Sequence, residues 1–194
     1  MIENKPSIYN QPSVYNQGGG GRVEIDGIIY PTVTINGVEW MTQNLLYVNR
    51  AWGNSNTDGS WFTANQQIAP NRRRLIRFGF FYRKNQLNHI TNLVDLKGFR
   101  IPTKSDFETL LDINGDSLKS TEFWQNVGTN ETGLSLVANG HFTENSFNGN
   151  NSYCQLWTNT QENGDNYIYQ LNDSNTQSIY IEDQSWAYPI RLCK

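Results

Sequence analysis

Two dipeptides, Asp26-Gly27 and Asn36-Gly37, constrain this chain more than any other feature of its sequence. Each puts an Asx and a Gly where a two-residue type I′ turn needs positive φ, and each is flanked by alternating residues: RVEI before the first, IIYPTVTI between them, VEWMT after the second. Residues 22 to 42 are therefore expected as three antiparallel strands. Pro31 has no N–H for a ladder, which points to an edge position or a bulge there.

The C-terminal third reads the same way. YCQLWTNT, a turn at Asn163-Gly164-Asp165, NYIYQL, a polar turn, QSIYIE and WAYPIRLC follow one another as strands. Between the two strand regions lie two helical signals. Leu87, Ile90, Leu93 and Val94 recur at helical spacing in KNQLNHITNLV, and Pro102-Thr103 followed by Asp106 is a helix start with Phe107, Leu110 and Leu111 as its apolar stripe. From Trp124 to Ser152 the pattern breaks into Gly, Asn, Ser and Thr, expected as long exposed loop with GHFTENSFNGNNS its most polar part. The result is an α+β domain of antiparallel strands, two helices and an irregular loop region. Amides rather than charges make it polar: 26 Asn and 12 Gln stand against 33 charged residues, a balance that suits turns and strands over a helical bundle.

Residues 1–21 form a separate unit, an extended arm before the domain of residues 22–194. PSIYNQ at 6 to 11 is repeated as PSVYNQ at 12 to 17, and Gly18 to Gly21 follow as a hinge. Pro6 and Pro12 oppose a helix and bias the arm to extended backbone. Ile8 with Tyr9 and Val14 with Tyr15 are the residue types by which an extended peptide fills a groove or adds to a sheet edge, so the arm is read as a docking peptide for a partner protein.

Several function classes are excluded or weakened. No stretch approaches the ~20 apolar residues of a membrane helix, and the start lacks the basic and apolar regions of a secretory signal, so synthesis in the cytoplasm is expected. Cys154 and Cys193 allow at most one bridge, and in apolar strands they read as buried, inert thiols. His89 and His141 lack metal-ligand spacing. Arg72 to Lys84 holds six of the fifteen basic residues, but the net charge is −3, so the stretch reads as solvated or interface arginines rather than a nucleic-acid site. Glu131, Glu162 and Asp165 sit in polar loops without a distinctive partner, so neither catalysis nor a cofactor is expected. Trp40, Trp124 and Trp157 read as core aromatics. The candidate ligand surface is the segment from His141 to Tyr153, with Phe142, Phe147 and Tyr153 as stacking faces and amides such as Asn145 and Asn150 as paired donors and acceptors.

A series of short words, in order, resembles the Fibrobacter succinogenes major paralogous domain family over residues 24 to 193. They are Asp26-Gly27 with Tyr30 and Val33, Trp40-Met41-Thr42-Gln43-Asn44-Leu45, Gly79-Phe80-Phe81-Tyr82, and Gly98-Phe99-Arg100-Ile101-Pro102-Thr103 leading to Phe107-Glu108-Thr109-Leu110. Leu118-Lys119-Ser120 with Trp124, Gly128-Thr129-Asn130-Glu131-Thr132-Gly133, Leu156-Trp157-Thr158 and Ile190-Arg191-Leu192-Cys193 complete the series. The resemblance implies a C-type-lectin-like fold akin to that of formylglycine-generating enzymes. The chain departs from it near Asp95, where the family usually carries a Cys, so a bridge to Cys193 is not expected. It also lacks the Glu-Pro-Asn and Gln-Pro-Asp triplets of calcium-dependent lectins. The arm resembles the N-termini of virion proteins of Bacteroidetes-infecting tailed phages, including crAss-like phages. Together these resemblances imply a virion surface protein (head fibre, capsid decoration or tail-associated subunit) made in the host cytoplasm. It would dock to a capsid or tail protein by residues 1–17, form a homo-oligomer, and display its domain for structural display or adhesion to a host surface glycan, with no nucleic-acid partner and no membrane insertion. A bacterial surface or secreted module of the same family is the other expectation.

Overall fold

Positive φ appears where the Asx-Gly turns require it: 51° and 76° at Asp26 and Gly27, 49° and 84° at Asn36 and Gly37. The computed structural model describes residues 20–47, 62–63, 77–93, 95–143, 146–182 and 186–194. The two turns join β1 (Arg22–Ile25), β2 (Ile28–Ile35) and β3 (Val38–Met41) into a three-stranded antiparallel sheet with β2 central. Pro31 therefore lies in the middle strand, with no bulge, contrary to the sequence expectation. It faces Arg22 at the end of the β1 ladder and accepts from Thr42 N at 2.9 Å. Having no N–H to return, it ends the β2–β3 pairing at Met41, so the proline is tolerated because one ladder finishes on each side of it.

Phe62–Thr63 (β4) and Phe80–Arg83 (β5) pair antiparallel, and helix α1 (Lys84–Leu93) follows directly where the helical spacing placed it. Helix α2 (Lys104–Glu108) starts at a complete capping box: Thr103 Oγ1 accepts from Asp106 N, and the Asp106 carboxylate accepts from Thr103 N. Of its expected stripe, Phe107 and Leu110 are buried and Leu111 is exposed. A third short helix, α3 (Gly115–Leu118), capped by Asn114, is not foreshadowed by apolar periodicity because it spans only four residues. Among the described residues no helix is long and apolar enough to cross a membrane.

The segment after Trp124 corrects the expectation of a long exposed loop. Leu134 to Gly140 are all buried, and His141–Phe142 (β6) pairs with Phe147–Asn148 (β7). Tyr153–Glu162 (β8), Asp165–Asn172 (β9) and Gln177–Glu182 (β10) then form a meander in the order β10-β9-β8. Ala187–Tyr188 (β11) inserts between β5 and β6 in a sheet ordered β4-β5-β11-β6-β7.

Strand period two divides the core around the meander. Trp157 and Ile168 enter one cluster with Tyr30, Met41, Phe80, Tyr82 and Tyr188. Cys154, Leu156, Tyr169 and Leu171 enter another with Trp40, Phe107, Leu118 and Trp124, where Phe107 stacks on Tyr169 at 4.6 Å. A third cluster joins Phe78, Phe81, Val137, Phe142 and Ala187. All three expected core tryptophans are buried; the Trp157 and Trp124 indoles donate to Tyr82 O at 2.7 Å and Leu136 O at 2.8 Å.

Candidate functional site

One face of β8 passes from core to surface in three steps: Trp157 is fully buried, Gln155 is 4% exposed and Tyr153 is 39% exposed. Gln155 lies opposite Gln170 on β9, which lies opposite Ser178 on β10, so all three project to this face. The Gln155 Nε2 amide donates to Gln170 Oε1 at 2.9 Å and to Tyr180 Oη at 3.0 Å, and the Tyr180 hydroxyl donates to Gln170 Oε1 at 3.1 Å. Gln155 Oε1 lies 2.8 Å from His141 Nδ1. With both amide protons of Gln155 committed in this orientation, that oxygen accepts a proton from Nδ1. Asn139 supports the strand from behind, donating to Gln155 O at 2.8 Å.

His141 is also stacked on Trp186, with ring centroids 4.4 Å apart and 9° between planes. Both rings are half-buried. Beneath them Tyr188 donates to the buried Glu182 carboxylate, and burial together with that contact drives the Tyr188 hydroxyl far above its ordinary range. Burial likewise raises Tyr180, against the lowering contact from Gln155, and Glu182 adds to the rise, so Tyr180 stays a neutral hydroxyl. Gly149 (φ 71°) closes the turn beside the rings; a side-chain carbon there would lie 3.1 Å from Tyr153 Cδ2 and 3.8 Å from His141 Nδ1. The outcome is a half-buried patch of aromatic rings, amides and hydroxyls gathered from β6, β8, β9, β10 and Trp186.

The residues singled out from sequence fare unequally. Tyr153 is exposed at this patch, and Asn150 is half-buried in the turn before it. Phe142 is not an exposed stacking face: β6 alternates, so His141 takes the patch side while Phe142 is buried in the third core cluster. Phe147, paired with Phe142, is half-buried with its ring edge-to-face with Phe81 at 5.4 Å, so it too serves the core. Asn145 and the docking residues Ile8, Tyr9, Val14 and Tyr15 lie outside the described residues, as do Arg72 to Arg74 of the basic stretch. Sequence reasoning missed Gln155, Gln170, Tyr180 and Trp186. The available signal was Gln155 itself, a polar residue on the same strand parity as the core Trp157.

Elsewhere the reactive groups are engaged structurally. Cys154 and Cys193 are free and buried, and burial pushes both thiols up to about 12. Asp165 pairs with Lys84 at 2.5 Å, Glu162 accepts from Tyr167, and Glu131 accepts from Ser117 at 3.2 Å. Among the described residues no three His, Cys, Asp or Glu side chains gather as a metal site.

Residues 33–194 match the profile of the Fibrobacter succinogenes major domain family. No curated protein matches the chain, and no solved structure does.

Proposed function

This chain belongs to the Fibrobacter succinogenes major domain family, and from that premise we propose that residues 22–194 form a C-type-lectin-like, non-enzymatic binding module held at a virion surface by the arm at residues 1–21. The observation that carries the binding half is the patch around Gln155: side chains with stacking faces and hydrogen-bonding groups, set on the antiparallel meander and reaching the surface at Tyr153. The display half is supported by the arm's doubled PS-(Ile/Val)-YNQ unit, which offers two equivalent anchors, and by the glycine run behind it. Many copies on one particle would turn weak contacts with a host surface into firm adhesion.

The test is to follow the full chain and a chain lacking residues 1–19 through purification of particles assembled from the genome that encodes it. Full chain that sediments with particles, and truncated chain that stays in the supernatant, is the expected result. Full chain absent from particles overturns the virion role.

A further inference from the structure

The amide chain at the patch is saturated in its middle and open at both ends. Gln155 uses both amide protons and its oxygen internally, and Tyr180 both accepts and donates. Among the described residues, Gln170 Nε2 and His141 Nε2 are left without a partner, the first a donor and the second an acceptor. In this amide orientation, and with the imidazole neutral, the chain ends in one donor and one acceptor.

That pairing selects chemistry. A carboxylate can only accept and an ammonium can only donate, whereas neighbouring hydroxyls do both and satisfy the two ends at once. Trp186, half-buried with His141 on one ring face and packed against the first core cluster, adds an apolar surface at the acceptor end, suited to the C–H face of a pyranose. We propose that the patch is a subsite for an uncharged saccharide, with the sugar's C–H face on Trp186 and adjacent hydroxyls bridging His141 and Gln170, bound without a metal ion. This rests on the adhesion reading above and names its ligand class.

The experiment is saturation-transfer NMR on the full chain in buffer containing EDTA. The probes are methyl glycosides of glucose, galactose, mannose, fucose and N-acetylglucosamine, set against glucuronic and sialic acids. At least one neutral glycoside should receive saturation at its ring protons, and Trp186→Ala and Gln170→Ala should each weaken it about tenfold, while Trp186→Phe retains it. Should Trp186→Ala fail to fold, Gln170→Ala decides. Binding of the acids alone, binding only after calcium is added, no neutral binding, or neutral binding untouched by these substitutions overturns the subsite. Cell adhesion separates this proposal from the broader one. Adhesion lost in Trp186→Ala but kept after periodate treatment of the cells overturns the saccharide and keeps adhesion. Sugar binding without any cell adhesion keeps the subsite and overturns adhesion.

Discussion

Asp106 shows how much one side chain carries here. It caps α2 and accepts two hydrogen bonds from Arg100, at 2.5 and 2.8 Å. Burial alone would raise its carboxyl, but the contacts from Arg100 and Thr103 prevail and hold it at about 2. An unfolded Asp titrates near ~3.9, so the carboxylate's contribution is complete above that pH and is lost as pH falls toward 2. Asp106→Asn should cost about 1 to 2 kcal/mol in urea unfolding at pH 7, discounted because Arg100 is half-exposed. The gap to wild type should narrow between pH 4 and pH 2; a gap independent of pH would refute the assignment. Arg191 is a second hub. Only 1% exposed, it donates to Asn44 Oδ1 at 2.8 Å, Leu134 O at 2.8 Å and Met41 O at 3.1 Å, and burial lowers it to about 9 without discharging it at neutral pH. Lysine cannot reproduce the planar fork, so Arg191→Lys should destabilise by about 2 to 4 kcal/mol, measured in the same assay. The two buried thiols should ignore an aromatic disulfide reagent at pH 8 in the native state and both react in denaturant.

At the scale of elements, glycines separate two kinds of turn. Gly27 (φ 76°) has open space around it, so Gly27→Ala should cost only the strain of positive φ, about 1 kcal/mol. At Gly140 (φ 61°) a side-chain carbon would lie 2.1 Å from Asn148 O and 2.7 Å from Asn150 N, so Gly140→Ala should cost about 3 kcal/mol or more and undo the β6–β7 pair. Thermal unfolding of both variants checks the contrast; equal losses would contradict it. The hairpins, α1 and the α2 cap were legible in sequence because their determinants lie within a few residues of one another. The role of Pro31 was not, since it depends on where two ladders end. The burial of Leu134 to Gly140 was hidden for a similar reason: Asn139 and Gly140 look like loop residues until their bonds to Gln155 and Tyr153 are formed across the fold. The patch was half legible. Strand alternation could flag Gln155, but only the register of β8, β9 and β10 joins it to Gln170 and Tyr180, and only the closure of β11 between β5 and β6 sets Trp186 against His141.

For the whole molecule, the last eight residues act as the clasp. Pro189 and Ile190 accept from Trp157 and Leu45, Leu192 from Met41, Cys193 exchanges bonds with Arg100, and Lys194 does so with Glu39. A chain ending at Trp186 should lose its cooperative thermal transition, whereas one starting at residue 20 should keep the wild-type midpoint, because the arm is assigned to docking rather than to the domain. These opposite outcomes would divide the chain into a closed domain and an appended anchor. The decisive measurement is a cryo-EM map of the assembled particle at side-chain resolution around residues 1–17. Ile8, Tyr9, Val14 and Tyr15 are expected in pockets of a capsid or tail protein, with Tyr153 and Trp186 facing outward. An arm threaded into its own domain or a sister copy, or a patch covered by a neighbouring subunit, would contradict it.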